Sequence, residues 1–262
     1  MTRVERIGDA TLYLGDCRDV IPTLSGVDVC ITDPPYEIRD KFGTTTLGGF
    51  RRMEFHFDFE GVTDGVVIPA LAKAFALCAS FHCFCGFEQF GDIAKVARAA
   101  GLTAKPWAKE KLAGPPPMPG NWWPSSFELA CYGYRSGAYF GDTSPSRKNL
   151  MQFDSYRHSI RAYEKVDHPT QKWLPMVIYL VDTLSDKTAT ILDPFMGSGT
   201  TGVACARLGR KFIGIELHEP YFDIACRRIE DAYRQADLFV KAPVAEDPAD
   251  ARMRDLFREP VA

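Results

Sequence analysis

The sequence predicts an α/β fold, a mainly parallel sheet with helices on both faces. Short apolar runs alternate with stretches of helical period at both ends of the chain. Thr190 to Ile215 reads as a complete strand–helix–strand unit. Two carboxylates, Asp33 and Asp193, stand where such runs end, and open α/β sheets bind their ligands at the carboxyl ends of strands.

The elements follow in order. Thr11 to Leu14 reads as a strand running into Gly15-Asp16-Cys17, and Val27 to Thr32 as a second, more buried strand that meets Asp33-Pro34-Pro35-Tyr36. Residues 39 to 65 hold Gly43, Gly48, Gly49, Gly61 and Gly65 without a sustained period, which predicts a loop; Arg39, Lys41, Arg51 and Arg52 decorate it. Helical spacing resumes from Ile68 to Cys78, followed by a strand from Ser80 to Cys85 and a helix from about Phe90 to Ala100 that Gly101 closes. Residues 105 to 165 break the rhythm with Pro115-Pro116-Pro117-Met118-Pro119 and Trp122-Trp123, apart from the strand-like run Phe127 to Tyr134. Alternation then returns: strand Thr190 to Leu192, turn 193 to 199, helix Thr200 to Leu208, strand Lys211 to Ile215, helix from about Tyr221 to Ala236. Beyond Lys241, prolines and charges predict a flexible tail with at most a short helix from Ala249 to Phe257. The expected organisation is one domain over residues 1–240, with insertions at 39–65 and 105–165 and a tail at 241–262.

At 262 residues the chain suffices for one large α/β domain, and 46% hydrophobic with 25% charged residues is ordinary for a soluble globular protein. No apolar run approaches the roughly 18 residues that a membrane helix needs, and the start Met1-Thr2-Arg3-Val4-Glu5 does not open a signal peptide, so a cytoplasmic protein is expected. The eight cysteines are scattered, and Cys83-Phe84-Cys85 follows a strand's alternation rather than a CxxC pair, which favours free buried thiols over a metal site or disulfides. The net charge of −3 is uneven: residues 230 to 262 carry all of it, and residues 1 to 229 sum to zero. Across 135 to 172, Arg135, Arg147, Lys148, Arg157, Arg161, Lys165 and Lys172 outnumber the acidic residues, enough for a basic face toward nucleic acid.

Asp33-Pro34-Pro35-Tyr36 combines a carboxylate, a stiff turn and an aromatic ring. Both prolines lack an N–H and have φ fixed, so a carbonyl held there can accept a hydrogen bond without wandering. Asp33 and that carbonyl could hold the two hydrogens of a planar exocyclic amine while Tyr36 stacks on the ring that bears it, as at a nucleobase site.

The second constellation, Gly197-Ser198-Gly199-Thr200-Thr201-Gly202, satisfies GxGxxG between a strand and a helix, with Glu216 ending the next strand. A dinucleotide site is one reading. Asp193 beside the loop would repel a diphosphate but welcome an ammonium or sulfonium, and S-adenosylmethionine has both; no Lys follows Gly199, as a P-loop requires. The two sites then explain each other. Methyl transfer to an exocyclic amine is an in-line displacement, and holding the amine hydrogens frees a lone pair otherwise delocalised into the ring. A base within a duplex reaches such a pocket only when flipped.

At these positions the chain resembles the β-class DNA amino-methyltransferases, which modify adenine N6 or cytosine N4. The resemblance covers Leu14 to Cys17, Thr32 to Tyr36, Phe81 to Phe84, Phe127 to Ala130, His168 to Lys172, Leu192 to Thr201 and Leu208 to Glu216, with the tetrad ahead of the glycine loop. It implies a Rossmann-like methyltransferase fold with permuted motif order. Asp33, Pro34 and Tyr36 would form the catalytic pocket; Asp193, Phe195, Gly197, Ser198, Gly199, Thr200 and Glu216 would hold S-adenosylmethionine. Asp16 and Cys17 would meet the cofactor adenine, and Thr170 and Lys172 its methionine carboxylate, although Trp173 follows Lys172 where the family usually has Pro. The two insertions are expected to read DNA, with Arg39, Arg51, Arg52, Arg147, Lys148, Arg157, Trp122 and Trp123 as contacts. An Asp rather than a Ser heads the tetrad, which by family tendency favours adenine N6 over cytosine N4. A nucleotide-dependent oxidoreductase and a non-catalytic nucleic-acid-binding module are the competing readings. Beyond DNA, the expected associations are a homodimer and a cognate restriction endonuclease on another chain.

Overall fold

The computed structural model describes residues 3–35, 63–110, 127–141, 149–151 and 171–240, with residues 63, 64 and 236–240 described by backbone alone. In chain order the elements are β1 (Arg3–Ile7), β2 (Ala10–Leu14), α1 (Cys17–Val20), β3 (Val29–Thr32), α2 (Ile68–Leu77), β4 (Ser80–Cys85), α3 (Phe90–Ala99), β5 (Lys105–Glu110) and β6 (Phe127–Tyr134). They continue with β7 (Leu150–Met151), α4 (Leu174–Leu184), β8 (Thr190–Asp193), α5 (Thr200–Leu208), β9 (Lys211–Glu216) and α6 (Glu219–Val240).

One sheet takes the described strands in the order β1-β2-β9-β8-β3-β4-β6-β5-β7. Its centre, β2-β9-β8-β3-β4, is parallel. At the margins β1 runs antiparallel to β2, and β6 antiparallel to both β4 and β5. The alternation of β3 shows how both faces are filled. Val29 and Ile31 pack into the layer of α4, α5 and α6, while Cys30 faces the layer of α2 and α3. A strand buried on both sides reads as a continuous apolar run, which is how Val27 to Thr32 stood out. All eight cysteines are free thiols, seven of them buried.

Five elements depart from the sequence-based expectation. β1 (Arg3-Val4-Glu5-Arg6-Ile7) is a charged, largely exposed edge strand with little apolar signal. β5 lies in a stretch expected to be irregular; its Pro106 and three charged residues mask a strand in which only Trp107 is fully buried. β7 spans two residues beside β5. α4 was not foreseen because Leu174 to Leu184 is covered on most sides and lacks a broad polar face to mark the period. α6 begins two residues earlier than expected, at Glu219. The loop expected over 39–65, up to residue 62, and the expected tail helix from Ala249 to Phe257 lie outside the described residues.

The order of strands fixes where a ligand can sit. From β3 the chain proceeds to its neighbour β4 on one side, and from β8 it proceeds to β9 on the other, so the direction of winding reverses between β3 and β8. Crevices in open α/β sheets form at such a reversal, outside the carboxyl ends of the strands. Asp33 leaves β3 and Asp193 ends β8 at that point.

Candidate active site

On the β8 side the chain turns through residues 194–199 into α5, with Gly197 and Gly199 at φ 52° and 78°, left-handed values that glycine adopts without penalty. The Asp193 carboxylate, 4% exposed, lies beneath this loop. Its Oδ1 accepts from the Thr32 hydroxyl at 2.7 Å and from the Phe195 N–H at 3.2 Å, and its Oδ2 accepts from the Thr201 hydroxyl at 2.8 Å. Burial raises its pKa to about 7 against the opposing pull of these hydrogen bonds. Glu216, at the end of β9, accepts from the Gly197 N–H at 2.8 Å through Oε2 and from the His218 N–H at 2.8 Å through Oε1. Burial raises this carboxyl as well.

Glu216 therefore ties the glycine loop to β9, and its carbonyl accepts from the Gly15 N–H at 2.9 Å, which brings the end of β2 alongside. There Asp16 caps α1 by accepting from the Arg18 N–H at 2.8 Å and pairs with the Arg18 guanidinium at 2.6 Å. The side-chain hydrogen bond to Arg18 holds Asp16 below the usual carboxylate range. Cys17 is buried, and burial pushes its thiol up to about 12.

Arg228 on α6 escaped the sequence reading. Its Nη1 donates to the Ser198 carbonyl, to Ser198 Oγ at 3.0 Å and to Thr200 Oγ1 at 3.3 Å, bracing the loop from behind. No local motif marks it, because helical spacing alone places many residues against α5.

On the β3 side, Lys172 Nζ stands 3.1 Å from Asp33 Oδ2, with the two side chains 18% and 20% exposed. The same ammonium lies 4.6 Å from the centroid of the Phe84 ring, a cation–π contact. The structure thus places Lys172 on the carboxylate of the tetrad. Trp173 anchors it by burying its ring in the core cluster that includes Phe84 and Trp107, which gives this departure from the family pattern a packing role. Beneath lies His82, edge-on to Phe84 at 4.8 Å and to Trp107 at 4.7 Å. Burial first, and then the Lys172 charge, lowers its pKa to about 3, so the imidazole is neutral. Neither of its ring nitrogens has a hydrogen-bond partner among the described residues.

Gln89 also escaped the sequence reading: its Nε2 donates to the Pro35 carbonyl at 3.0 Å. Tyr36, Thr170, Arg39, Arg51, Arg52, Arg147, Lys148, Arg157, Trp122 and Trp123 lie outside the described residues.

The two halves meet at the Thr32–Asp193 hydrogen bond, which joins adjacent strands from opposite ends of the sequence. The crevice holds Asp33, Asp193 and Glu216, and burial disfavours the charged form of the latter two. Such a donor set fits a ligand carrying cationic centres and opposes a diphosphate.

Comparison with known proteins agrees. The N6/N4 methyltransferase family model, described as DNA methylase, matches residues 105–227. YubD of Escherichia coli (strain K12) is 28% identical over 234 residues, 84% of this chain and 90% of that protein. The DNA adenine methyltransferase YhdJ of the same organism is 38% identical over 84 residues, 32% of this chain and 28% of its own length. The solved M1.HpyAVI–SAM complex is 25% identical with a TM-score of 0.61, covering 84% of this chain and 99% of that one. Over these matches the chain is similar to the S-adenosylmethionine-dependent DNA amino-methyltransferases.

Along this chain the Asp33 turn precedes the glycine loop, and the Rossmann-like fold is permuted. The PvuII DNA methyltransferase, cytosine-N4-specific, shares the fold at a TM-score of 0.63 with 16% identity. Among the described residues, no helix is long and apolar enough to cross a membrane.

Proposed function

We propose that this chain methylates the exocyclic N6 of an adenine flipped out of DNA. The observation that carries the reading is the shared crevice: Asp33 and Asp193 emerge from neighbouring parallel strands, linked by the 2.7 Å bond from Thr32 to Asp193. A target base and a methyl donor held at those two strand ends are side by side.

The Asp33 carboxylate and the Pro34 carbonyl accept the two hydrogens of the amine, which favours a pyramidal nitrogen with its lone pair free for in-line attack. Tyr36 stacks on the flipped base and replaces its lost neighbours. Lys172 balances the Asp33 charge. Asp193, Phe195, Gly197, Ser198, Gly199, Thr200 and Glu216 hold the cofactor, with Asp16 and Cys17 toward its adenine and Thr170 toward its methionine end. When bound, S-adenosylmethionine supplies the electrophilic methyl group. His82, neutral and enclosed by aromatic rings, takes no part as an acid or base. Adenine is favoured by the Asp that heads the tetrad and by the similarity to YhdJ.

The test is to incubate DNA with methyl-labelled S-adenosylmethionine, digest it to nucleosides and analyse these by mass spectrometry. Label in N6-methyladenine is expected. Label in N4-methylcytosine would transfer the reading to the other amine, and DNA without label would refute it.

A further inference from the structure

Gln89 is a buried amide, 4% exposed, whose two ends are spent on two different turns. Its Oε1 accepts from the Gly86 N–H at 3.1 Å, closing the turn that joins β4 to α3. Its Nε2 crosses to the neighbouring strand end and donates to the Pro35 carbonyl at 3.0 Å. Phe87 at the tip of the turn is 87% exposed, so this side chain adds no apolar packing to hold the turn. The side-chain amide of Gln89 does the fastening.

We infer that Gln89 is a positioning residue for methyl transfer, acting through the Pro35 carbonyl on the geometry of the tetrad; this rests on the proposed role of Asp33 and Pro34. The chain's torsions explain how. Ring closure fixes φ at Pro34 and Pro35, so the turn retains freedom mainly in ψ. A hydrogen bond to the Pro35 carbonyl sets ψ at Pro35. At the other end, Thr32 is fixed by the β3 register and by its bond to Asp193. With both ends held, the Pro34 carbonyl between them has little room to turn away from an amine. An acceptor displaced by a fraction of an ångström would still allow a base to bind but would no longer hold its hydrogens in the reactive direction.

The glycine loop has its own tethers, from Glu216, Asp193 and Arg228, none of which passes through Gln89. A change at Gln89 should therefore alter the rate of transfer and leave the cofactor in place. That separates positioning from general loosening of the fold, which would weaken both.

Gln89→Glu keeps the length and the acceptor for Gly86 while removing the donor to Pro35; Gln89→Met keeps the length and removes both. Single-turnover transfer to DNA at saturating cofactor gives the rate, and calorimetry gives the cofactor Kd. Both variants are expected to slow transfer by about 10- to 100-fold with the Kd changed by less than about threefold. If Gln89→Glu does not fold, the uncharged Met variant decides alone. Rates within about twofold of wild type, or a cofactor Kd that rises in parallel with the loss of rate, would overturn the inference. Wild-type protein that transfers no label would instead refute the underlying function, so the two failures are distinguishable.

Discussion

Lys172 and Asp33 form a pair of opposite charges, each about four-fifths covered, at the centre of the proposed reaction. Removing one partner of a partly buried pair takes a neutralising charge away from the other. Lys172→Met is therefore expected to lower the rate of methyl transfer by about tenfold or more, measured by steady-state kinetics at saturating DNA. An unchanged rate would show that the pair is incidental. His82 tests burial at the same scale. Its folded pKa of about 3 lies below its ordinary value of 6.5, so between them the unfolded chain binds a proton that the folded protein refuses. The stability that depends on a neutral imidazole is whole above 6.5 and is lost as pH falls toward about 3. Replacing His82 with Phe should flatten the fall in unfolding free energy from about pH 7 to about pH 4, read from urea titrations, and an identical slope would contradict this. Single residues were only partly legible. Asp33 and Asp193 declared themselves through their neighbours, whereas Gln89 and Arg228 act through contacts that no local spacing encodes.

At the scale of elements, the buried strands and α5 were readable because their physical signals are strong. β4 and α5 have the bounds that alternation and the glycine loop imply, and β3 lies within the apolar run that announces it. Strands at and near the margins were not readable: β1 is an edge strand that faces solvent over much of its length, and β5, next to the short edge strand β7, carries three charged residues and a proline. The third glycine of the motif, Gly202 within α5, shows why that helix lies so close to the sheet. A β-carbon at Gly202 would meet the Phe212 ring at 2.7 Å and would also press on Ile229. Gly202→Ala should destabilise the fold by about 1–3 kcal/mol through overpacking, measured by chemical denaturation. A neutral result would mean that the α5–α6 interface can yield.

Across the whole molecule, the sequence points to both halves of the proposed site and their order but not their adjacency. Asp33 and Asp193 are 160 positions apart, and only the placement of β3 beside β8 brings their strand ends together. Pairing between such distant strands depends on the complete sheet, which no local period encodes. That adjacency is also the source of the proposed chemistry, because a target amine and a methyl donor must share one crevice. The most direct measurement is label transfer by wild type and Asp33→Ala in parallel, with cofactor affinity determined for each. The account requires wild type to place label in N6-methyladenine, and Asp33→Ala to lose transfer by at least about a thousandfold while its cofactor Kd stays within about threefold. Retained turnover in Asp33→Ala, or a wild type that labels no base, would contradict it.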